Sequence, residues 1–309
     1  MSKTAKGKTF LELLKKQCQK CTKGTVKTYL QNIRRLYRLE FEGDVPLTGK
    51  WLDSEKLFAK YKKTELKVRR HLSTASIKAH AAYGKDNKKW YKHFIDDQNK
   101  YSEQRAKHLK SDTEKKNWTS VKELKKATKQ LKQRLKHALE GTPTLANLYR
   151  IQFWLVLKMY TEVPVRNDFP TLELKKSSNG NYIKMPPKGN FTLVFQKFKN
   201  SDKLGPRDIK LSRALTMAIR KYLKYRNKVG LDHDFLLTGK AGKPMSRGAF
   251  GKALRNQTQE LLGKRVGSRI IRVVVSTENR KILEKAAELS NKMLHTQKRT
   301  LDYIRKDKD

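Results

Sequence analysis

Arg272 heads an apolar run, GSRIIRVVVS, where a guanidinium is hard to account for by packing. Apolar surroundings make an unpaired cation costly, so an anion is the natural partner. Arg166, in TEVPVRNDFPTLEL, either pairs with the nearby Asp168 or meets a phosphate at a helix end. Phosphodiester cleavage is one chemistry that uses such cations. Cleaving a phosphodiester without a metal requires an in-line nucleophile, cations on the non-bridging oxygens and an acid for the leaving oxygen. A lysine ammonium can be that acid. Metal-dependent nucleases instead cluster carboxylates around magnesium. The carboxylates here are scattered among lysines, as in STENRK and SDTEKK, which favours a metal-free and cofactor-free reaction. The two cysteines, Cys18 and Cys21, form one CxxC with no second pair, so free thiols in a reducing compartment are expected rather than zinc.

The elements that must position these residues follow from periodicity. Residues 1–24 are basic and weakly patterned, and read as a flexible arm. Val26, Leu30, Ile33 and Tyr37 recur at helical spacing. A second helix capped by Asp53 carries Leu57, Phe58 and Tyr61, and an Ala-rich third is capped by Ser73 and ends near Gly84. A charged fourth carries Trp90 and Phe94. Residues 25–106 therefore make an all-α module, and the polar stretch 107–116 reads as a linker. Ser120 and Glu123 have capping-box spacing ahead of the next helix. The break Gly141-Thr142-Pro143 opens LANLYRIQFWLVLKMY, apolar nearly all round and so buried. The segments TLEL, NYIKMP, FTLVFQKFK and RDIKL read as a small antiparallel meander, with helices resuming at Ser212.

The chain of 309 residues carries 73 Lys and Arg against 29 Asp and Glu, a formal net charge of +44. The excess is spread along the sequence and interleaved with Trp, Tyr, Phe and Leu, which excludes a merely basic tail. It points to a folded binder of a polyanion, with phosphate backbones the obvious candidate. The opening MSKTAKGKTF lacks the apolar core of a signal peptide, and no apolar run approaches membrane-spanning length. The expectation is a soluble, intracellular, DNA-associated protein of the cytoplasm or a host nucleus.

Residues 117–309 resemble the catalytic domain of the tyrosine recombinases, the phage-integrase family, in four landmarks. The buried helix running into TEVPVRNDFPTLEL is similar to the family's helix, turn, arginine and strand, which places Arg166 as the first catalytic arginine. FQKFKNSDKLGPRDIKLS resembles the hairpin that carries the family's lysine; Lys199 is the choice, with Lys197 and Lys203 open. GSRIIRVVVS is similar to the HxxR box, matching Arg272, with Arg269 where His or Lys is usual. NKMLHTQKRTLDYIRK resembles the terminal pattern, matching His295 and the nucleophile Tyr303, one residue closer together than is common. The plainer alternative for Tyr303 is a helix-face tyrosine docking beside Leu301 or Ile304.

The resemblance implies a fold that is mainly α with a small antiparallel β-sheet. It has two domains, an all-α core-binding domain and an α+β catalytic domain. It also implies a site-specific recombinase or integrase that cleaves double-stranded DNA through a 3′-phosphotyrosyl link and assembles as a homotetramer on DNA. The motif style is similar to viral or mobile-element members. Two rival readings share the fold: relaxation of DNA in the manner of a type IB topoisomerase, and a DNA-binding protein that has lost catalysis.

Overall fold

The computed structural model describes residues 9–294. The chain divides into two compact units, one ending at Leu109 and the next beginning at Lys110.

The first unit is helical: α1 (Phe10–Gln17), α2 (Lys23–Tyr37), α3 (Glu55–Lys62), α4 (Leu66–Tyr83) and α5 (Lys88–Ala106). Its start corrects the expected arm. α1 opens with a capping box between Thr9 and Glu12 and buries Phe10 and Leu14 in the core. Cys18 and Cys21, expected as free thiols, are joined by a disulfide in the turn between α1 and α2. The cap of α3 is Ser54, whose hydroxyl accepts from the Leu57 amide at 3.1 Å, and not Asp53. Ser73 is no cap either: it lies buried within α4 and donates back to the Arg70 carbonyl at 3.1 Å. α4 does end as expected, with Gly84 in the left-handed region (φ 67°). Buried Asp97 of α5 ties three helices together, accepting from Tyr61 Oη at 2.6 Å and Arg69 Nε at 2.8 Å. Trp90 stands edge-on to Phe58, ring centroids 5.1 Å apart.

The second unit begins with α6 (Asp112–Lys116), inside the stretch expected as linker. A capping box between Ser111 and Glu114 forms it, and Glu114 is buried. α7 (Val121–Arg134) carries the expected capping box of Ser120 and Glu123, and α8 (Lys136–Glu140) follows. α9 (Leu145–Tyr160) is capped by Thr144 and buries Ile151, Leu155, Leu157 and Met159 as the centre of the core. Next come β1 (Leu172–Glu173), β2 (Asn181–Lys184), β3 (Thr192–Phe195), α10 (Ser201–Leu204) and β4 (Arg207–Lys210).

The four strands form one sheet in sequence order. β2, β3 and β4 are antiparallel, with Tyr182 opposite Val194 and Leu193 opposite Ile209. β1 runs parallel to β2, with Leu172 opposite Asn181, so the sheet is mixed and not the antiparallel meander expected. Parallel neighbours ordinarily need a crossover of a dozen or more residues. β1 has only two residues, so the short stretch 174–180 returns the chain to its start. α11 (Arg213–Val229) is capped by Ser212, and α12 (Arg247–Leu262), α13 (Ser268–Glu278) and α14 (Arg280–Lys292) complete the unit. Tyr222 of α11 fastens the core, donating to the Leu236 carbonyl at 2.8 Å beside Gln152 of α9. Among the described residues no helix is long and apolar enough to cross a membrane.

Candidate active site

Arg166 lies in the segment that leaves α9, and three helices hold that segment. Tyr160, at the end of α9, donates its hydroxyl to the Arg166 carbonyl at 3.1 Å. Ser268, the first residue of α13, donates to Asn167 Oδ1 at 2.7 Å. Asn167 also packs over Gly251 of α12, where an added Cβ would stand 2.7 Å from its Nδ2. Only glycine lets the asparagine lie that close. Asp168 is buried and forms an ion pair with Arg247 of α12 at 2.8 Å. The local alternative for Arg166, pairing with Asp168, is therefore not adopted.

Arg272 approaches from α13. Ile271 and Val274 of that helix are buried, which leaves Arg272 on its half-buried side. Its Nε is buried and has no hydrogen-bond partner among the described residues. Burial lowers its pKa, and the like charge of Arg166, then of Arg269, lowers it further against the opposing influence of Tyr160 and Asp168. A guanidinium nevertheless keeps its charge at neutral pH. Arg166 is thus near enough for its charge to act on Arg272, and among the described residues no ion pair joins a carboxylate to either. The arrangement concentrates positive charge where an anion would relieve it.

Tyr160 is itself fully buried, and burial pushes its hydroxyl well above the ordinary phenol range. That keeps it a neutral hydrogen-bond donor to the loop and unsuited to nucleophilic attack. Arg269 has a different fate from Arg272: it is exposed, and its Nη2 is 2.9 Å from Glu114 of α6. α6, expected as linker, thereby contacts Arg269 at the start of α13.

Three lysines compete on the β3–β4 connection. Lys199 is exposed in the turn after β3, and Lys203 is exposed in α10; neither side chain has a hydrogen bond or ion pair among the described residues. Lys197 is also exposed, but its backbone is fixed. Asn181, buried at the start of β2, accepts from the Lys197 amide and donates to the Lys197 carbonyl, both at 2.8 Å. Arg247 reaches the same carbonyl at 3.5 Å while holding Asp168. Lys197 is thus connected through one arginine to the segment of Arg166. His295 and Tyr303 lie outside the described residues. Among those described, no group of three or more His, Cys, Asp or Glu comes together as a metal site.

Sequence reasoning missed Arg247, Asn181, Tyr160 and Ser268. Arg247 follows a capping serine in a chain crowded with cations, and nothing local distinguishes it. Its partner lies far away in sequence.

No protein-family model matches the sequence, and no curated protein matches it. Solved structures do. XerA recombinase is similar at 13% identity and a TM-score of 0.37, over 88% of this chain and 84% of that one. The XerH site-specific recombinase, in a post-cleavage complex with its palindromic difH substrate, is similar at 15% identity and a TM-score of 0.51. That match covers 97% of this chain and 82% of the other, and it carries the conclusion. The chain has the fold of the tyrosine site-specific recombinases.

Proposed function

We propose that the protein cleaves and rejoins double-stranded DNA as a tyrosine recombinase. The observation that carries this reading is Arg272, whose buried Nε has no hydrogen-bond partner among the described residues and which feels the like charge of Arg166, while the nearby Asp168 is in an ion pair with Arg247. In the proposed reaction Tyr303 Oη attacks the scissile phosphorus in line. A bond to the phenolic oxygen forms as the bond to the 5′ oxygen breaks, leaving a 3′-phosphotyrosyl link and a free 5′-hydroxyl. Arg166 and Arg272 hold the non-bridging oxygens and stabilise the charge of the transition state. A lysine protonates the departing oxygen. Lys199 and Lys197 are both exposed, and the clamped backbone of Lys197, joined through Arg247 to the Arg166 segment, favours Lys197. His295 hydrogen-bonds the phosphate or assists the tyrosine. Arg269, tied to Glu114, steadies the box and adds a phosphate contact at its edge.

The covalent link conserves the phosphodiester energy, so the 5′-hydroxyl of a partner strand can reverse the step without ATP. Exchange between two duplexes needs four active sites, hence a homotetramer on DNA. Integration and a viral or mobile-element setting are consistent with the motif style. The test uses nicked duplexes selected for binding from a randomised pool. A covalent adduct with the wild type that is absent in Tyr303→Phe supports the reading. No adduct with either leaves a DNA-binding protein of this fold. Relaxation of supercoils with no exchange between two sites indicates a topoisomerase.

A further inference from the structure

A groove of about 740 Å³ opens on the second unit between α7, α9 and α11. Its rim is cationic: Lys125, Lys129 and Lys132 of α7 stand at positions i, i+4 and i+7, one face of that helix, opposite Lys221 of α11, with Lys158 of α9 between. None of these lysines is in an ion pair among the described residues. Glu162, at one end, is already engaged: its carboxylate accepts from the Ser212 hydroxyl at 2.7 Å and its amide at 3.3 Å. The floor is apolar. Trp154 and Ala218 are buried beneath it, and Met217 stands out into it at 57% exposure. Met217 and Lys221 also border a second hollow of about 430 Å³ with Lys224 and Lys228, so the basic track continues along α11.

This groove is separate from the arginine site. Lys158 and Tyr160 are two residues apart, about 200° around α9 at 3.6 residues per turn. Tyr160 faces the Arg166 segment, so Lys158 and the groove lie on the other side of the helix.

We infer that the groove is a docking site for an acidic amphipathic segment of another protein. The cationic rim selects carboxylates, and the Met217 floor selects apolar anchors between them. A second copy of this chain does not fit, because its 29 acidic residues are dispersed among 73 cations. A nucleic acid strand would satisfy the lysines but waste the floor. Bases need an exposed aromatic face for stacking, and Trp154 is only 3% exposed. The inference does not depend on the recombinase reading.

The test is fluorescence anisotropy with the full chain at physiological salt. The probe is a labelled peptide about five turns long with glutamates on one helical face and leucines on the other. A scrambled peptide of the same composition and an oligo(dT) of matched charge serve as controls. The triple variant Lys125→Glu, Lys129→Glu, Lys221→Glu is expected to bind the peptide about tenfold more weakly than a charge-matched triple on the first unit, Lys56→Glu, Lys60→Glu, Lys63→Glu. Met217→Ser is expected to lose about fivefold for the amphipathic peptide and nothing for the scrambled one. Thermal melting checks that each variant is folded. Equal losses for the two triples would overturn the inference. So would a groove variant that loses oligo(dT) as much as peptide, since that would make the groove a nucleic-acid track.

Discussion

A half-buried arginine whose Nε finds no acceptor destabilises the fold that holds it, and Arg272 has the like charge of Arg166 beside it as well. Stability and activity should therefore trade against each other at this residue. Arg272→Met keeps the aliphatic packing and removes the buried cation. It should stabilise the protein by about 1 kcal/mol, roughly 2–4 °C in melting temperature for a unit the size of the second one, while abolishing strand cleavage. A lowered melting temperature would mean that the guanidinium is satisfied by something other than a bound phosphate. Arg272 was legible in the sequence because a cation ahead of three valines conflicts with local packing logic. Arg247 was not, because its significance lies in reaching Asp168 and the Lys197 carbonyl across the fold. The same holds for Asn181, one polar residue in a β-prone run whose four amide contacts exist only once the sheet has formed.

Between elements, the α12 N-terminus, the β3–β4 connection and the segment after α9 meet at Arg247. Arg247→Ala should reduce cleavage about 10–100-fold with DNA affinity changed far less, because a misplaced acid slows chemistry more than binding. Single-turnover rates and equilibrium binding separate the two, and a loss confined to affinity would reduce Arg247 to one more phosphate contact. Lys197→Ala and Lys199→Ala, compared on a substrate with a 5′-phosphorothiolate leaving group that needs no acid, identify the lysine. The true acid is the one whose defect disappears.

In the first unit, burial holds the pKa of His80 below its ordinary 6.5. The folded state resists protonation that the unfolded state accepts, so stability is full above about pH 6.5 and falls as pH drops below it. Urea midpoints should decline over that range, and His80→Gln should flatten the decline; an unchanged slope would contradict it. At this scale capping signals read unevenly: Ser120 with Glu123 opens α7 as expected, whereas Ser54 and not Asp53 caps α3, and Ser73 lies inside α4. α1 was missed although Phe10, Leu11, Leu13 and Leu14 recur at helical spacing, because the pattern lasts only eight residues within a basic stretch. The parallel pairing of β1 was missed too, a tertiary choice made by a two-residue strand.

For the whole molecule, a net charge of +44 makes counterion release a large part of the driving force for binding any polyanion. If six to ten phosphates are contacted, affinity for duplex DNA should fall by roughly 10³–10⁵ between 50 and 200 mM salt. A nearly flat response would contradict the polyanion reading. Charge alone left the fold undecided; the mixture of helices with one small sheet, and the order of the landmarks along 117–309, narrowed it.

Whether Arg166 and Arg272 act together on the charge of one phosphate is tested most directly by cleavage of a duplex whose scissile phosphate is replaced by a methylphosphonate, which lacks one anionic oxygen. Arg166→Ala and Arg272→Ala should each be at least ~100-fold slow on the natural phosphate and regain most of that loss on the neutral one, with Tyr303 still required. Equal defects on both substrates, or full activity of either variant on the natural phosphate, would contradict the joint role of the two arginines.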